Sequence, residues 1–219
     1  QGAANVAAAA RSAGVETLIH MSAIGADSES ASAYGKTKGK GEAAVRAAFP
    51  SATILRPSII FGREDQFINR FAGLIRMLPL VPVIGGATKF QPVFVGDIAH
   101  AVAAIVSDPQ GHNAKTYELG GPEVMTMVEV NRWIAESTGY KRPMFEVPDE
   151  VAGLLATLTG WLPGAPITRD QWLMLQSDNV LSTKAKGLTA LGITPTPLDA
   201  VAPGWLVQYR KHGRFGVAA

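Results

Sequence analysis

Apolar and polar positions divide the chain into alternating helical and extended stretches. The opening "QGAANVAAAARSAGV" is alanine-rich and predicts a helix that stops at Gly14, where a left-handed residue is expected. "VETLIHMSAIG" is a short apolar run that predicts a buried strand leading into a loop. "SESASAYGKTKGKGEAAVRAAFP" then predicts a loop and a helix ending near Phe49, with Pro50 as the stop. "SATILRPSIIFG" lacks polar alternation, which suits one parallel strand covered on both faces. Phe67, Phe71, Leu74 and Leu78 recur at helical spacing between Arg63 and Pro79. "LPLVPVIGGATKFQPVFVGD" is punctuated by proline and glycine and reads as extended, with Asp97 placed as the N-cap of the helix "IAHAVAAIVSD". "KTYELGG" is a third strand, and from Pro122 the chain is mostly helical.

Strand, helix, strand, helix, strand with short connections predicts an α/β fold: a doubly wound parallel sheet of the Rossmann-like kind with a smaller, mostly helical C-terminal lobe. Residues 1–61 and 92–121 are assigned to the sheet domain, and 62–91 with 122–219 to a lobe facing substrate or partner. Within that lobe "VAGLLATLTGWLPG", residues 151–164, is too short for a bilayer, which needs about 20 apolar residues. It is read either as an ordinary core helix or as a surface that lies at an interface. The glycine pairs at 85–86 and 120–121 are read as turns.

Composition changes this picture little. A net charge of +2 over 219 residues gives no electrostatic case for nucleic acid. No cysteine is present, which removes disulfide and thiolate chemistry and fits a reducing cytoplasm. The histidines at 20, 100, 112 and 212 show no ligand spacing, so no metal is expected. The first residues carry neither a starting Met nor the charged and apolar regions of a signal peptide.

Chemistry enters at "YGKTKGKGE". Tyr34 and Lys38 lie four apart and share a helix face. A phenol has a reference pKa of about 10, and a neighbouring ammonium is expected to lower it and make a usable proton donor and acceptor. Ser22, at the end of the preceding strand, is placed to orient a substrate carbonyl. The spacing alone is a weak signal, equally compatible with a solvated helix face; its position directly after a strand ending in serine gives it weight.

The order "GAANVAAAARSAGVETLIHMSAIGA", "YGKTKGKGE", "ATILRPSIIFGREDQFINRF", "FQPVFVGDIAHAV" and "KTYELGGP" resembles the extended, atypical branch of the short-chain dehydrogenase/reductase superfamily, whose members include NAD-dependent epimerases and dehydratases. "LRPSIIFGREDQF", "FQPVFVGD" and "ITRDQWLMLQSDNV" further resemble bacterial relatives of the nucleotide-binding accessory subunit of respiratory complex I. The resemblance implies catalytic roles for Ser22, Tyr34 and Lys38 and contacts to NADP or NAD from Tyr34, Lys38, Pro57, Ser58 and Ile59. It also implies that the glycine-rich, pyrophosphate-binding turn lies upstream of Gln1, so that residues 1–219 alone are expected to bind the dinucleotide weakly.

Two departures bear on substrate and partner. Ile59 stands where sugar-nucleotide enzymes of this branch usually carry asparagine, and Arg63, Glu64 and Asp65 are read as helix-capping rather than substrate contacts. "TRDQ" at 168–171 is read as Thr168 capping a helix while Arg169 and Asp170 pair locally. Two functions are therefore expected: a nicotinamide-dependent carbonyl reductase or dehydrogenase, or a non-catalytic NADP(H)-holding scaffold on a respiratory complex or another membrane-bound partner. The location implied is cytoplasmic or peripheral to the inner membrane.

Overall fold

A computed structural model describes residues 1–211, 213 and 215; His212, one of the histidines considered above, lies outside the described residues, as does the end of the expected 122–219 lobe. The chain begins with α1 (Gly2–Ser12), β1 (Ile19–Met21), α2 (Ala33–Ala48) and β2 (Thr53–Pro57), and Gly14 takes the left-handed conformation expected of it at φ 70°. The apolar run around residue 57 is not one strand but two. β3 (Ile60–Phe61) leaves the first sheet and pairs with β6 (Val93–Phe94), after α3 (Ile68–Met77), β4 (Val81–Ile84) and β5 (Lys89–Phe90). Then come α4 (Val95–Ser107), α5 (Pro109–His112), β7 (Thr116–Leu119), β8 (Met125–Thr126) and α6 (Met127–Thr138). β9 (Met144–Val147), α7 (Asp149–Thr159) and α8 (Arg169–Met174) follow.

β1, β2 and β7 form a parallel sheet in that order, with Ile19 opposite Thr53 and Ile54 opposite Thr116. Strand alternation sends successive side chains to opposite faces. Ile54 therefore meets Ala7, Val45, Phe49 and Ala52 under α1 and α2, while Leu55 joins Ile98, Ala101, Ile105, Tyr117 and Leu119 under α4. Helices on both faces make the sheet doubly wound. A further core gathers Phe61, Ile68, Ile75, Val81, Val130, Ile134, Leu198 and Leu206. The region after Pro122 is not all helix: β9 runs parallel to β4, and Leu188 returns to the core beneath α4.

Two capping expectations resolve differently. Asp65 accepts hydrogen bonds from the Phe67 and Ile68 amides and starts α3. Asp97, by contrast, is no N-cap: α4 begins two residues earlier, at Val95, and the buried carboxylate holds the Thr196 amide and hydroxyl at 2.7 and 2.8 Å. The first turn of α4 thereby ties down a segment 99 residues away.

Candidate functional site

The carboxyl end of β1 feeds a tight loop that returns as α2. Gly25 turns left-handed at φ 79°, the Asp27 amide bonds the Gly35 carbonyl, and the Ser32 hydroxyl accepts from the Gly35 amide as the helix N-cap. This loop lies directly on α2. A Cβ on Gly39 would collide with the backbone of Asp27 and Ser28, and one on Gly35 would collide with Ser30. The glycines of "YGKTKGKGE" therefore let the loop seat against the helix that carries Tyr34.

A paired substitution checks this. In an open helix interior, Gly→Ala gains about 0.5–1 kcal/mol. Gly73 in α3 meets nothing within 4 Å, so Gly73→Ala is expected to stabilise by that amount. Gly39→Ala should instead destabilise by about 1–3 kcal/mol, because backbone must move to admit the methyl. Thermal unfolding of both variants gives the signs, and a stabilised Gly39→Ala protein would contradict the seating of the loop.

On the outer side of α2 the Lys38 ammonium lies 5.6 Å from the centroid of the Tyr34 ring. Its hydrogen bond is a long one, 3.5 Å to the Met21 carbonyl at the end of β1. The Tyr34 ring is 40% exposed, and among the described residues its hydroxyl has no partner. Partial burial nevertheless pushes the phenol above its ordinary value. The lowering expected from Lys38 does not prevail; desolvation of the phenolate sets the direction.

Ser22 lies on the inner side of this helix and is 3% exposed. Its hydroxyl approaches Glu42 closely enough to favour the carboxylate, yet at a geometry that leaves the oxygen without a standard hydrogen bond. Glu42 accepts from both Nε and Nη2 of Arg56, at 2.8 and 2.7 Å, and Arg56 also faces Glu118 at 3.8 Å. Burial alone would raise the Glu42 carboxyl, but the Arg56 hydrogen bonds, the nearby Ser22 hydroxyl and the charges of Arg56 and Arg46 outweigh it and hold it below the usual carboxylate range. His20 is half-buried beside this group; desolvation and the Lys38 charge depress its pKa against the pull of Glu42. The structure thus places Tyr34 and Lys38 together at the surface and Ser22 in a buried ionic layer beneath them.

The residues at the end of β2 are largely engaged. The Pro57 carbonyl accepts from the Ile24 amide, and the Ser58 amide donates to the Leu119 carbonyl. The Ser58 hydroxyl donates to Asn179, 2.6 Å from Oδ1, and accepts from the Gln91 amide. Ile59 packs against Val83, Phe90 and Met127.

Thr168 caps α8 as expected, in a reciprocal capping box with Gln171. Asp170 does not stay local. Its carboxylate crosses to α2, taking the Ala33 amide at 2.5 Å and the Tyr34 amide at 3.1 Å. The local pairing of Asp170 with Arg169 expected from the sequence gives way to this long-range contact, and sequence reasoning missed Asn179, Glu42 and Arg56.

A family model for the RmlD substrate binding domain matches residues 1–154, and the chain belongs to that family. The resemblance to the extended short-chain dehydrogenase/reductase superfamily holds. The chain is 36% identical over 210 residues to the mouse (Mus musculus) NADH dehydrogenase [ubiquinone] 1 alpha subcomplex subunit 9, mitochondrial, covering 94% of this chain and 55% of that protein. It is 31% identical over 168 residues to a ceramide reductase of Caulobacter vibrioides, covering 75% of this chain and 52% of that protein. The chain thus spans about half the length of the relatives it matches. Among solved structures, the triphenylmethane reductase of Citrobacter sp. complexed with NADP(H) superposes with a TM-score of 0.70 at 23% identity, over 93% of this chain and 70% of that one.

Proposed function

We propose that this chain belongs to a protein that holds a nicotinamide dinucleotide, NADP or NAD, as a bound group within a respiratory assembly, with Tyr34 and Lys38 gripping the nicotinamide end. The observation that carries this reading is the pairing, on one face, of the Tyr34 phenol, whose hydroxyl has no partner among the described residues, with the loosely held Lys38 ammonium; burial raises that phenol's pKa. Such a pair suits hydrogen bonding to a ribose diol better than proton transfer at neutral pH. Pro57 and Ile59 would add apolar contact, while the Ser58 hydroxyl serves the fold. Held in this way the dinucleotide is a bound group that is not turned over, and these residues orient it. The respiratory-subunit relative supports the partner, since it matches along 94% of the chain.

The surface offers such a partner a site. Val151, Leu154, Leu158 and Trp161 follow one another at helical spacing along α7 and just beyond it, and all are exposed, Trp161 at 77%. Only Ala152 and Ala156 of this helix are buried, so its apolar stripe faces outward. No helix among the described residues is long and apolar enough to cross a membrane.

A second reading, a carbonyl reductase with Tyr34 as acid/base, Lys38 beside it and Ser22 orienting the carbonyl, is favoured by the retained tyrosine-lysine pair and by the ceramide reductase relative. One experiment tests the first reading. The full-length protein purified from its native membranes is expected to retain stoichiometric dinucleotide, released on denaturation. Leu154→Glu with Leu158→Glu should move it to the soluble fraction without releasing the dinucleotide. A purified protein holding no dinucleotide, and whose melting temperature added NADPH or NADH leaves unchanged, would overturn the proposal.

A further inference from the structure

Residues 168–182 form a strap across the carboxyl ends of the strands, and its two ends are fastened very differently. At one end the attachments are many and mostly backbone. The Leu175 carbonyl accepts from the Thr88 hydroxyl at 2.6 Å, and Asp178 accepts from the Lys89 amide at 2.9 Å. Asn179 bridges Phe90 like a short extra strand, its amide on the Lys89 carbonyl and its carbonyl on the Gln91 amide, and its side chain takes the Ser58 hydroxyl. Leu181 and Ser182 finish the attachment on the Gln91 and Glu118 side chains. At the other end, the fastening to the tyrosine helix is the Asp170 carboxylate on the Ala33 and Tyr34 amides, and that contact is solvent-exposed.

The α2 helix has no need of Asp170 to form. Its own N-cap, Ser32, already closes the first turn on Gly35, and water would solvate the next amides. α8 is likewise complete by itself, through the Thr168–Gln171 capping box. It is braced on α7 by Trp172 and Gln176, both of which donate to Asp149. Two self-sufficient elements joined by one exposed, charge-assisted pair of hydrogen bonds make a contact that can open without unfolding either side.

We infer that Asp170 is a positioning residue that latches this strap over the Tyr34 side of the cleft and so slows escape of the bound dinucleotide. The inference rests on the dinucleotide-holding reading above. While latched, Asp170 fixes the first turn of α2 by the amide of Tyr34 itself, so the phenol and Lys38 stay in register with the nicotinamide end. Released, α8 parts from the first turn of α2 and the cleft opens on that side, while α7 stays tied through β9 to β4. A strap closed in this way affects dissociation more than association.

The test uses the full-length protein and three forms: wild type, Asp170→Ala and Asp170→Asn. Asp170→Ala is expected to accelerate NADPH dissociation in stopped flow about tenfold, the loss expected for a charge-assisted pair of hydrogen bonds. Asp170→Asn, whose amide oxygen can still accept from one N–H, should recover part of that loss. Hydrogen exchange of the Ala33 and Tyr34 amides in the dinucleotide-free protein should quicken in Asp170→Ala while the global melting temperature changes little. Unchanged exchange at those amides overturns the inference, as does quickened exchange with an unchanged dissociation rate. A wild-type protein that binds no dinucleotide overturns the proposed function instead; the latch is then judged in the free protein by nitration of Tyr34, faster in Asp170→Ala if the strap covers it and equal in both if it does not.

Discussion

Glu42→Ala is expected to destabilise the protein by about 2–3 kcal/mol, somewhat below the 3–5 kcal/mol typical when one partner of a buried ion pair is removed. Two features set the discount. The Arg56 side chain is 29% exposed, and Glu118 remains as a second partner at 3.8 Å. What is lost is a bidentate pair that fastens the middle of α2 to β2, directly beneath the turn bearing Lys38. For a chain of this size that loss is a fall in melting temperature of roughly 4–12 °C.

The same carboxylate gives a pH signature of definite sign. Its folded pKa is depressed, so its contribution is complete above the unfolded carboxylate value of about 4.3 and is lost as pH falls through the folded value. Glu42→Gln keeps the shape and removes the charge. The stability difference between wild type and Glu42→Gln should therefore be constant from neutral pH down to about pH 5 and shrink below it. A difference independent of pH through that range would mean that the ionised pair is not what the helix rests on.

Lys38→Ala in the full-length protein is expected to weaken NADP(H) or NAD(H) binding by about 10- to 100-fold, the range that a lost hydrogen bond from a charged donor covers. Among the described residues the Lys38 ammonium makes one long hydrogen bond, to Met21, so it can serve a ligand and its removal costs the fold little. Lys36→Ala removes the same charge from an exposed position of the same helix and should leave affinity within about twofold, since a solvated charge is screened. Calorimetric titration of the three proteins separates the cases; equal affinity across all of them would place the nicotinamide end elsewhere.

The helices α1, α2 and α3 and the parallel strands β1, β2 and β7 were legible because each follows from a local pattern: alanine runs, spaced aromatics and short uninterrupted apolar stretches. The tyrosine-lysine pair was legible for the same reason, being four residues apart on one helix. What escaped the reading spans the chain. Asp170 reaches its partners across 136 and 137 residues, and Asp97 reaches Thr196 across 99. Nothing local distinguishes a carboxylate that caps its own helix from one that caps another. The Glu42–Arg56 pair joins a helix to a strand 14 residues on, a distance no periodicity encodes. The two-residue strands β3 and β6 are defined by each other and by the layer above them, so "RPSIIFG" read as one strand until its partners were known. The direction of the Tyr34 pKa depended on how far the side chain is buried, which spacing alone leaves open.

Whether Tyr34 and Lys38 hold a dinucleotide rather than turn it over is read from the near-ultraviolet absorbance of reduced nicotinamide bound to the full-length protein. Wild type and Tyr34→Phe are each mixed with a panel of aliphatic, long-chain and aromatic carbonyl compounds. Bound NADPH or NADH is expected to stay reduced in both proteins, with Tyr34→Phe differing only in affinity. Oxidation of the bound nicotinamide by any of these carbonyls in wild type, abolished in Tyr34→Phe, would contradict it and establish Tyr34 as the proton donor of a reductase.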